Sequence, residues 1–171
     1  MDVIVVTLRL VHVVCGALWV GMAVFTAFFM VPAIQDAGPD GGKVMAALQR
    51  RGIMTVLPAL ALGTLVSGVW LYLRAAAGMH AEFAASPTGM AFGLGGLASI
   101  VAYALGITVM RPSMMRAVTL GQTLGGLTDA SERERVMGEI SKLRGRGVSV
   151  GRAVGGLLIF AVAAMGVARY L

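Results

Sequence analysis

The residues best suited to chemistry lie near the N-terminus, in the stretch LRLVHVVCGALWVG at positions 8–21. This apolar run carries Arg9, His12, Cys15 and Trp19. An imidazole can ligate a metal or haem iron, titrate near neutral pH, or hydrogen-bond to another helix. Ionisable side chains are costly at membrane depth, so they face other helices rather than lipid. His12 is therefore the principal candidate for a functional residue.

A helical projection of this stretch predicts which residues share a face with His12. Trp19 and Thr26 fall within about 40° of it, and Arg9 and Cys15 flank that face on opposite sides. We expect His12, Trp19 and Thr26 to form one inward stripe. We expect Arg9 to extend to the outer interface; the alternative is that it meets an anionic group such as a haem propionate or a lipid phosphate.

Three uses of His12 remain open at the level of sequence. The favoured one is a structural hydrogen bond across the bundle; the others are ligation of a metal or haem iron, and titration or small-ligand binding. A second histidine ligand would have to be His80, which falls in a connection outside the membrane. Four methionines in or near the spans are thioether alternatives, but core filling is the usual use of methionine; they are Met22, Met30, Met54 and Met110. No His/Cys/carboxylate cluster indicates a non-haem metal site.

Composition defines the elements that position these residues. The 171-residue chain is 58% hydrophobic and 13% charged, whereas a soluble domain carries about a quarter charged residues. Four apolar runs have the roughly 20 residues that a membrane-spanning helix needs; they cover about 3–33, 52–74, 89–110 and 153–171. The sequence predicts a single all-α integral membrane domain over 1–171, a four-helix bundle with a cytoplasmic amphipathic helix between spans three and four.

The charged residues exclude some functions and predict an orientation. All eight carboxylates lie near the ends of the runs or between them, which disfavours a proton-coupled carrier. Eleven of the 14 basic residues lie in the first and third connections. The positive-inside rule then predicts that these two connections are cytoplasmic and that both termini lie on the outer side of the membrane. The basic charge is thus a membrane feature and does not indicate nucleic-acid binding.

The first run has no basic segment before it and is longer than the apolar part of a signal peptide, so we expect it to be retained. Pro58 is expected to kink the second span, which can open space for a ligand. Glycines in the third and fourth runs predict close packing of those two spans. Cys15 is the only cysteine, so the chain forms no intrachain disulfide.

The third connection, 111–152, contains the segment SERERVMGEISKLRGRG. Ser131 and Glu134 have the spacing of a capping box, and Arg135 and Glu139 are four residues apart, as in helix-supporting pairs. Three apolar residues fall on one face: Val136, Ile140 and Leu143. We predict a short amphipathic helix that lies on the membrane or on its own bundle; the alternative is a docking surface for a partner.

Nearly the whole chain resembles a group of bacterial four-span membrane proteins described as CopD-like, whose function is not established. The likeness runs through LRLVHVVCGALWVG, GPDGGKVMAALQRRG, ASPTGMAFGLGGLA, RPSMMR and the closing ARYL. It implies the four-span fold and no particular activity.

Spans one and two also resemble, more distantly, HemJ-type protoporphyrinogen oxidases, through LVHVVCGALWVG and RRGIMTVLPALALGTLVSGVWLYL. This resemblance implies a haem b held partly by the first-helix histidine, here His12. That family pairs this histidine with a lysine of the third helix, whereas GMAFGLGGLASIVAYALG contains neither lysine nor histidine.

The sequence favours a non-catalytic membrane protein, an accessory or scaffolding subunit that packs against other membrane-protein subunits and lipids. The alternative is a haem-b-binding redox or haem-handling module. In that alternative His12, Arg9 and Trp19 are the cofactor-binding residues.

Overall fold

The computed structural model describes residues 2–171, with every side chain in that range except that of Pro39. The described residues form helices and turns and no strand. Eight α-helices follow one another along the chain: α1 (Val3–Phe25), α2 (Val31–Asp36), α3 (Gly41–Arg50), α4 (Ile53–Ala76), α5 (His80–Ala85), α6 (Pro87–Leu105), α7 (Arg111–Thr123) and α8 (Ala130–Val167). Two π-helical turns, π1 (Thr26–Met30) and π2 (Gly106–Met110), join α1 to α2 and α6 to α7.

Four helical segments in the described chain are long and apolar enough to cross a membrane, which confirms the predicted all-α bundle. They are span 1 (Val3–Asp36), span 2 (Ile53–Ala76), span 3 (Pro87–Gly126) and span 4 (Ala130–Tyr170). Both chain ends lie at one end of the bundle, here called the terminal end. The opposite end, from which α7 and the first half of α8 project, is called the hairpin end.

Helix starts are set by side chains that accept hydrogen bonds from free backbone N–H groups. Asp2 accepts from the N–H of Ile4 at 3.1 Å, and Ser86 accepts from the N–H of Gly89 at 3.0 Å. Gly52, with φ +80°, occupies the left-handed region between α3 and α4, which favours glycine because it has no Cβ. Local chemistry therefore defines where the spans begin.

Each span contributes to one small buried core. Trp19 of α1, Ala61 of α4, Ala102 of α6 and Leu158 of α8 are at most 5% exposed and belong to one cluster. The two alanines in this cluster let the helix backbones approach closely around the indole, and Leu158 fills the remaining space. The spans follow one another around this core in chain order, and span 4 also packs on span 1.

The third connection differs from its prediction as a short, separate helix. Residues 130–152 are the first part of α8, a helix of 38 residues that continues without a break into span 4. The predicted apolar face packs against α7, where Val136 and Ile140 join Ala117 in a second core cluster. The glycines at 145–151 do not end the helix, because side chains of neighbouring elements pack on them: Met114 of α7 lies against Gly147, and Met110 of π2 lies against Gly151.

The predicted polar contacts of that segment are also corrected. Asp129, and not Ser131, caps α8: its carboxylate accepts from the backbone N–H of Ser131 at 2.8 Å. Glu139 does not support its own helix through Arg135. It pairs with Arg116 of α7 at 2.6 Å, because the hairpin brings α7 closer than the neighbouring turn of α8.

The cap at Asp129 gives a pH-dependent prediction. The backbone N–H of Ser131, followed by its hydroxyl, lowers the pKa of Asp129 below its ordinary value of 3.8. A lowered folded-state pKa means that the cap contributes stability above the unfolded-state pKa and loses it as the pH falls through the folded-state pKa. In hydrogen exchange, Asp129→Ala is expected to speed exchange of the first-turn amides of α8 at neutral pH. Asp129→Asn is expected to preserve protection, and unchanged exchange in the alanine variant would contradict the cap.

Candidate functional site

His12 lies between spans 1 and 2, in the half of the bundle nearer the terminal end. Its Nδ1 is 2.9 Å from the backbone carbonyl oxygen of Thr64 and 3.4 Å from the hydroxyl of Ser67. The ring is partly buried. This contact matches the favoured sequence prediction, a structural hydrogen bond from the histidine to another helix.

The contacts of Nδ1 define the tautomer of the neutral ring. A carbonyl oxygen only accepts, so Nδ1 of His12 must donate to Thr64. The hydroxyl of Ser67 donates to the carbonyl of Gly63 at 2.6 Å, so its oxygen can only receive the His12 proton as a second, longer acceptor. Nε2 of the neutral ring is then an unprotonated base. Metal-ligating histidines show the same arrangement, with one ring N–H held by a carbonyl or carboxylate.

Small residues on α4 allow this approach. A Cβ added to Gly68 would lie 2.7 Å from Cε1 of His12, and one added to Gly63 would lie 3.4 Å from Sγ of Cys15. On α1 the small residue is Gly16, whose added Cβ would lie 3.4 Å from a methyl carbon of Thr64. The two helices therefore interlock through glycines, the packing mode expected where no hydrophobic effect drives helices together.

The three residues of the predicted stripe on α1, His12, Trp19 and Thr26, all face inward, but they do not meet at a single site. His12 packs on α4, Trp19 is buried in the four-helix core, and Thr26 lies further along, in π1. Trp19 and Thr26 line an internal cavity whose lining does not include His12. Arg9 is exposed, and among residues 2–171 it has no carboxylate within ion-pair distance.

The cavity lies in the half of the bundle nearer the hairpin end and has a volume of about 130 Å³. All four spans and α3 contribute to its apolar lining. Five of the chain's 12 methionines line it; they are Met30, Met45, Met54, Met110 and Met114. The polar side chains in the lining are few, namely Trp19, Thr26, Tyr103 and Arg111.

Backbone distortions in spans 1 and 3 border this cavity. The N–H of Val31, before Pro32, donates to Thr26, and the N–H of Arg111, before Pro112, donates to Gly106, so both bonds span five residues. A proline ring clashes with the carbonyl four residues earlier in a regular α-helix, and a π-helical turn relieves that clash by widening the helix. Pro58 also lines the cavity, within α4, which runs as one α-helix from Ile53 to Ala76.

Arg111 is the residue of this region that sequence reasoning missed. In the sequence analysis Arg111 was considered only as one of the basic residues that predict the orientation, because it directly follows the third apolar run. In the structure its Nε is buried and has no hydrogen-bond partner among the described residues, and its side chain lines the cavity. The sequence signal that could have indicated this region is that a proline follows Val31 and another follows Arg111, each near the end of a long apolar run.

The described residues contain no group of three or more His, Cys, Asp or Glu side chains that could hold a metal ion. Nε2 of His12 and the thiol of Cys15 lie between spans 1 and 2, whereas the thioethers of the cavity methionines lie in the other half of the bundle; all of these groups can ligate iron. Comparisons of the chain with protein-family models, curated proteins and solved structures found no match. The fold defines the class: an all-α protein with the character of a multi-pass membrane protein.

The close packing of His12 on Gly68 gives a prediction about stability. In Gly68→Ala the new methyl group would overlap the imidazole ring, so the ring must move and lose its bond to Thr64. Overpacking of this kind costs about 1–3 kcal/mol, and we expect a lower midpoint of thermal unfolding in mild detergent. Gly21→Ala on α1 is the matched control, because its added Cβ meets nothing within 4 Å. Equal midpoints for the two variants would argue against the close contact.

Proposed function

We propose that the chain is a non-catalytic accessory or scaffolding subunit that packs against a larger membrane complex through span 1. The observation that carries the proposal is that Arg9 is exposed and forms no ion pair with a described carboxylate. Its charged side chain is exposed on a helix surrounded by exposed apolar residues, and no carboxylate of the described chain neutralises it.

The proposal includes a location and an orientation. A bacterial inner membrane is the proposed site, with the hairpin end in the cytoplasm and both termini in the periplasm. The support is the charge distribution: most basic residues belong to α3, α7 and the first part of α8, at one end of the bundle. Cytoplasmic connections carry the excess of Lys and Arg in membrane proteins.

Span 1 is the least covered of the four spans. Trp19 is the one buried residue within α1, whereas α6, although shorter, has five. The exposed residues of α1 include Val3, Leu10 and Val13, each at least 63% exposed. Lipid tails satisfy apolar side chains of this kind, but they do not satisfy a guanidinium.

The charged guanidinium of Arg9 is not stabilised by contact with lipid tails. It lies about 9 Å along α1 from Val3, and a charged side chain inside a span is stabilised by a partner charge or by reaching the interface. The nearest acid in sequence, Asp2, already lies 3.6 Å from Arg74 of α4. An acidic or polar side chain of a neighbouring subunit would complement Arg9.

Photo-crosslinking tests the surface around Arg9. A photoreactive residue at Leu10 is expected to form a protein adduct in native membranes, whereas one at Leu97 of α6, which is similarly exposed, is expected to form lipid adducts only. In an Arg9→Leu background the Leu10 adduct is expected to decrease, because the partner loses its charged contact. The readout is the mobility and mass of the adducts.

Two results would contradict this function. One is lipid adducts alone from both positions. The other is a solitary, monodisperse monomer after purification in mild detergent, with no protein that co-purifies.

A second candidate function is a haem-b-binding redox or haem-handling module. The observation that favours it is the carbonyl-held Nδ1–H of His12, which leaves Nε2 as a basic ligand for iron. Arg9 lies one turn from His12 on α1 and could pair with a propionate. Trp19, the third residue of the predicted haem site, lies in the core toward the cavity and not beside the imidazole.

An absorption spectrum decides on the haem candidate. Protein purified from haem-replete cells is expected to show a Soret band if His12 ligates haem, and His12→Ala is expected to abolish it. His80→Ala, at an exposed position on α5, is expected to leave the band unchanged. A colourless preparation, or a band that survives in His12→Ala, would rule out this candidate.

A further inference from the structure

We propose that the cavity near the hairpin end binds one acyl chain of an anionic lipid, with the anionic head group on the guanidinium of Arg111. The ligand chemistry is a single hydrocarbon chain that ends in a carboxylate or a phosphate. This site is distinct from the His12 contact and does not depend on which partner covers span 1.

The size of the cavity indicates a narrow occupant. At about 130 Å³ it is smaller than the roughly 300–1,000 Å³ pockets that hold drug-sized ligands. It is close to the volume of about 150 Å³ at which an apolar protein cavity accepts a benzene-sized guest. A segment of one hydrocarbon chain fits this space.

The lining suits a flexible chain. Methionine is unbranched and polarisable, so it adapts to apolar guests of variable shape, and five methionines contribute to the walls. Two of them pack on glycines of α8: Sδ of Met114 lies 3.1 Å from a Cβ added to Gly147, and Sδ of Met110 lies 3.6 Å from one added to Gly151. These glycines let the methionine side chains approach the backbone of α8, so the wall that a chain would meet on this side is formed by flexible thioethers.

Arg111 supplies the preference for an anion. Its Nε is buried without a hydrogen-bond partner in the described chain, and it forms no ion pair with any described carboxylate. The other polar groups of the lining, on Trp19, Thr26 and Tyr103, are neutral and do not offset its charge. A planar guanidinium binds a carboxylate or phosphate through paired hydrogen bonds, so an anionic head group satisfies this charge.

The geometry of span 3 gives the direction of the ligand. Arg111 follows π2 at the hairpin end, and Ala102, in the deep part of the lining, lies about 14 Å further into the bundle along the helix. The head group therefore lies at the end of the span and the chain points toward the bundle centre, parallel to the lipids of that leaflet.

The two π-helical turns support a built site. Thr26, Met30, Gly106 and Met110, from π1 and π2, all line the cavity, so two separate distortions converge on one space. Such turns interrupt regular helices frequently at functional sites. Because covalent chain geometry at the prolines widens the helices here, the space does not have to be opened by the ligand.

Photoaffinity labelling tests the proposal. The full chain is placed in neutral phosphatidylcholine nanodiscs with palmitate that carries a mid-chain diazirine, and labelled peptides are mapped by mass spectrometry. We expect labels on the cavity residues Met54 and Met110, competition by unlabelled palmitate, and weak labelling by the matching uncharged hexadecanol probe. A phosphatidylglycerol probe with the same diazirine distinguishes the source: labelling by either anionic probe supports the site, and the stronger of the two identifies the head group.

Two variants test the charge of Arg111 and the free volume of the cavity separately. Arg111→Gln is expected to lower cavity labelling about tenfold, as loss of a charge-assisted hydrogen bond predicts. Arg152→Gln, which removes an exposed charge of α8 at the same end of the bundle, is expected to change nothing. Gly151→Leu adds bulk against Met110 and Ala27 and is expected to exclude the chain while Arg111 is retained.

The proposal is overturned if hexadecanol labels the cavity as strongly as the anionic probes, or if labelling persists unchanged in Arg111→Gln. If Arg111→Gln fails to fold, the Gly151→Leu result decides: full labelling in that variant also overturns the proposal.

Discussion

A proline inside a membrane-spanning helix removes one backbone donor and presses its ring against a carbonyl, and three of the four spans of this chain carry one. In lipid the freed carbonyls have no water to bond, so the helix must rearrange within the protein. Spans 1 and 3 rearrange as π-helical turns directly before Pro32 and Pro112. The wider helices and the Pro58 position on α4 together leave the space that lies around Arg111.

The bundle is thus divided into two halves of different character. Toward the terminal end, glycines and small side chains bring spans 1 and 2 together around His12, and the contact is filled. Toward the hairpin end the same pair of helices is held apart, and methionines line the gap. Trp19 lies at the boundary, in the core and in the cavity lining at once, so its indole separates the close-packed half from the open one.

The four spans were predictable because apolar length depends on the chain alone, and the inward direction of His12 followed from helical periodicity. The sequence did not predict how deep each side chain lies in the bundle or which helix it contacts. A projection places Trp19 and His12 on one face, but the helix that each one meets depends on how the spans pack. Arg111 was missed because its lack of a partner arises from the arrangement of spans. The amphipathic helix was predicted too short, because it was expected to be separate from span 4, whereas α8 runs through both without a break.

The length of α8 has a mechanical consequence. Its 38 residues extend about 57 Å, and one rigid rod joins the cavity wall at Gly151 to the tip of the hairpin at Ala130. A tilt of about 5° about Gly151 moves that tip by about 3 Å, because the arm between them is about 30 Å long. Such a tilt would move α7 as well, because α7 packs on this arm through Val136 and Ile140 and pairs with Glu139 through Arg116.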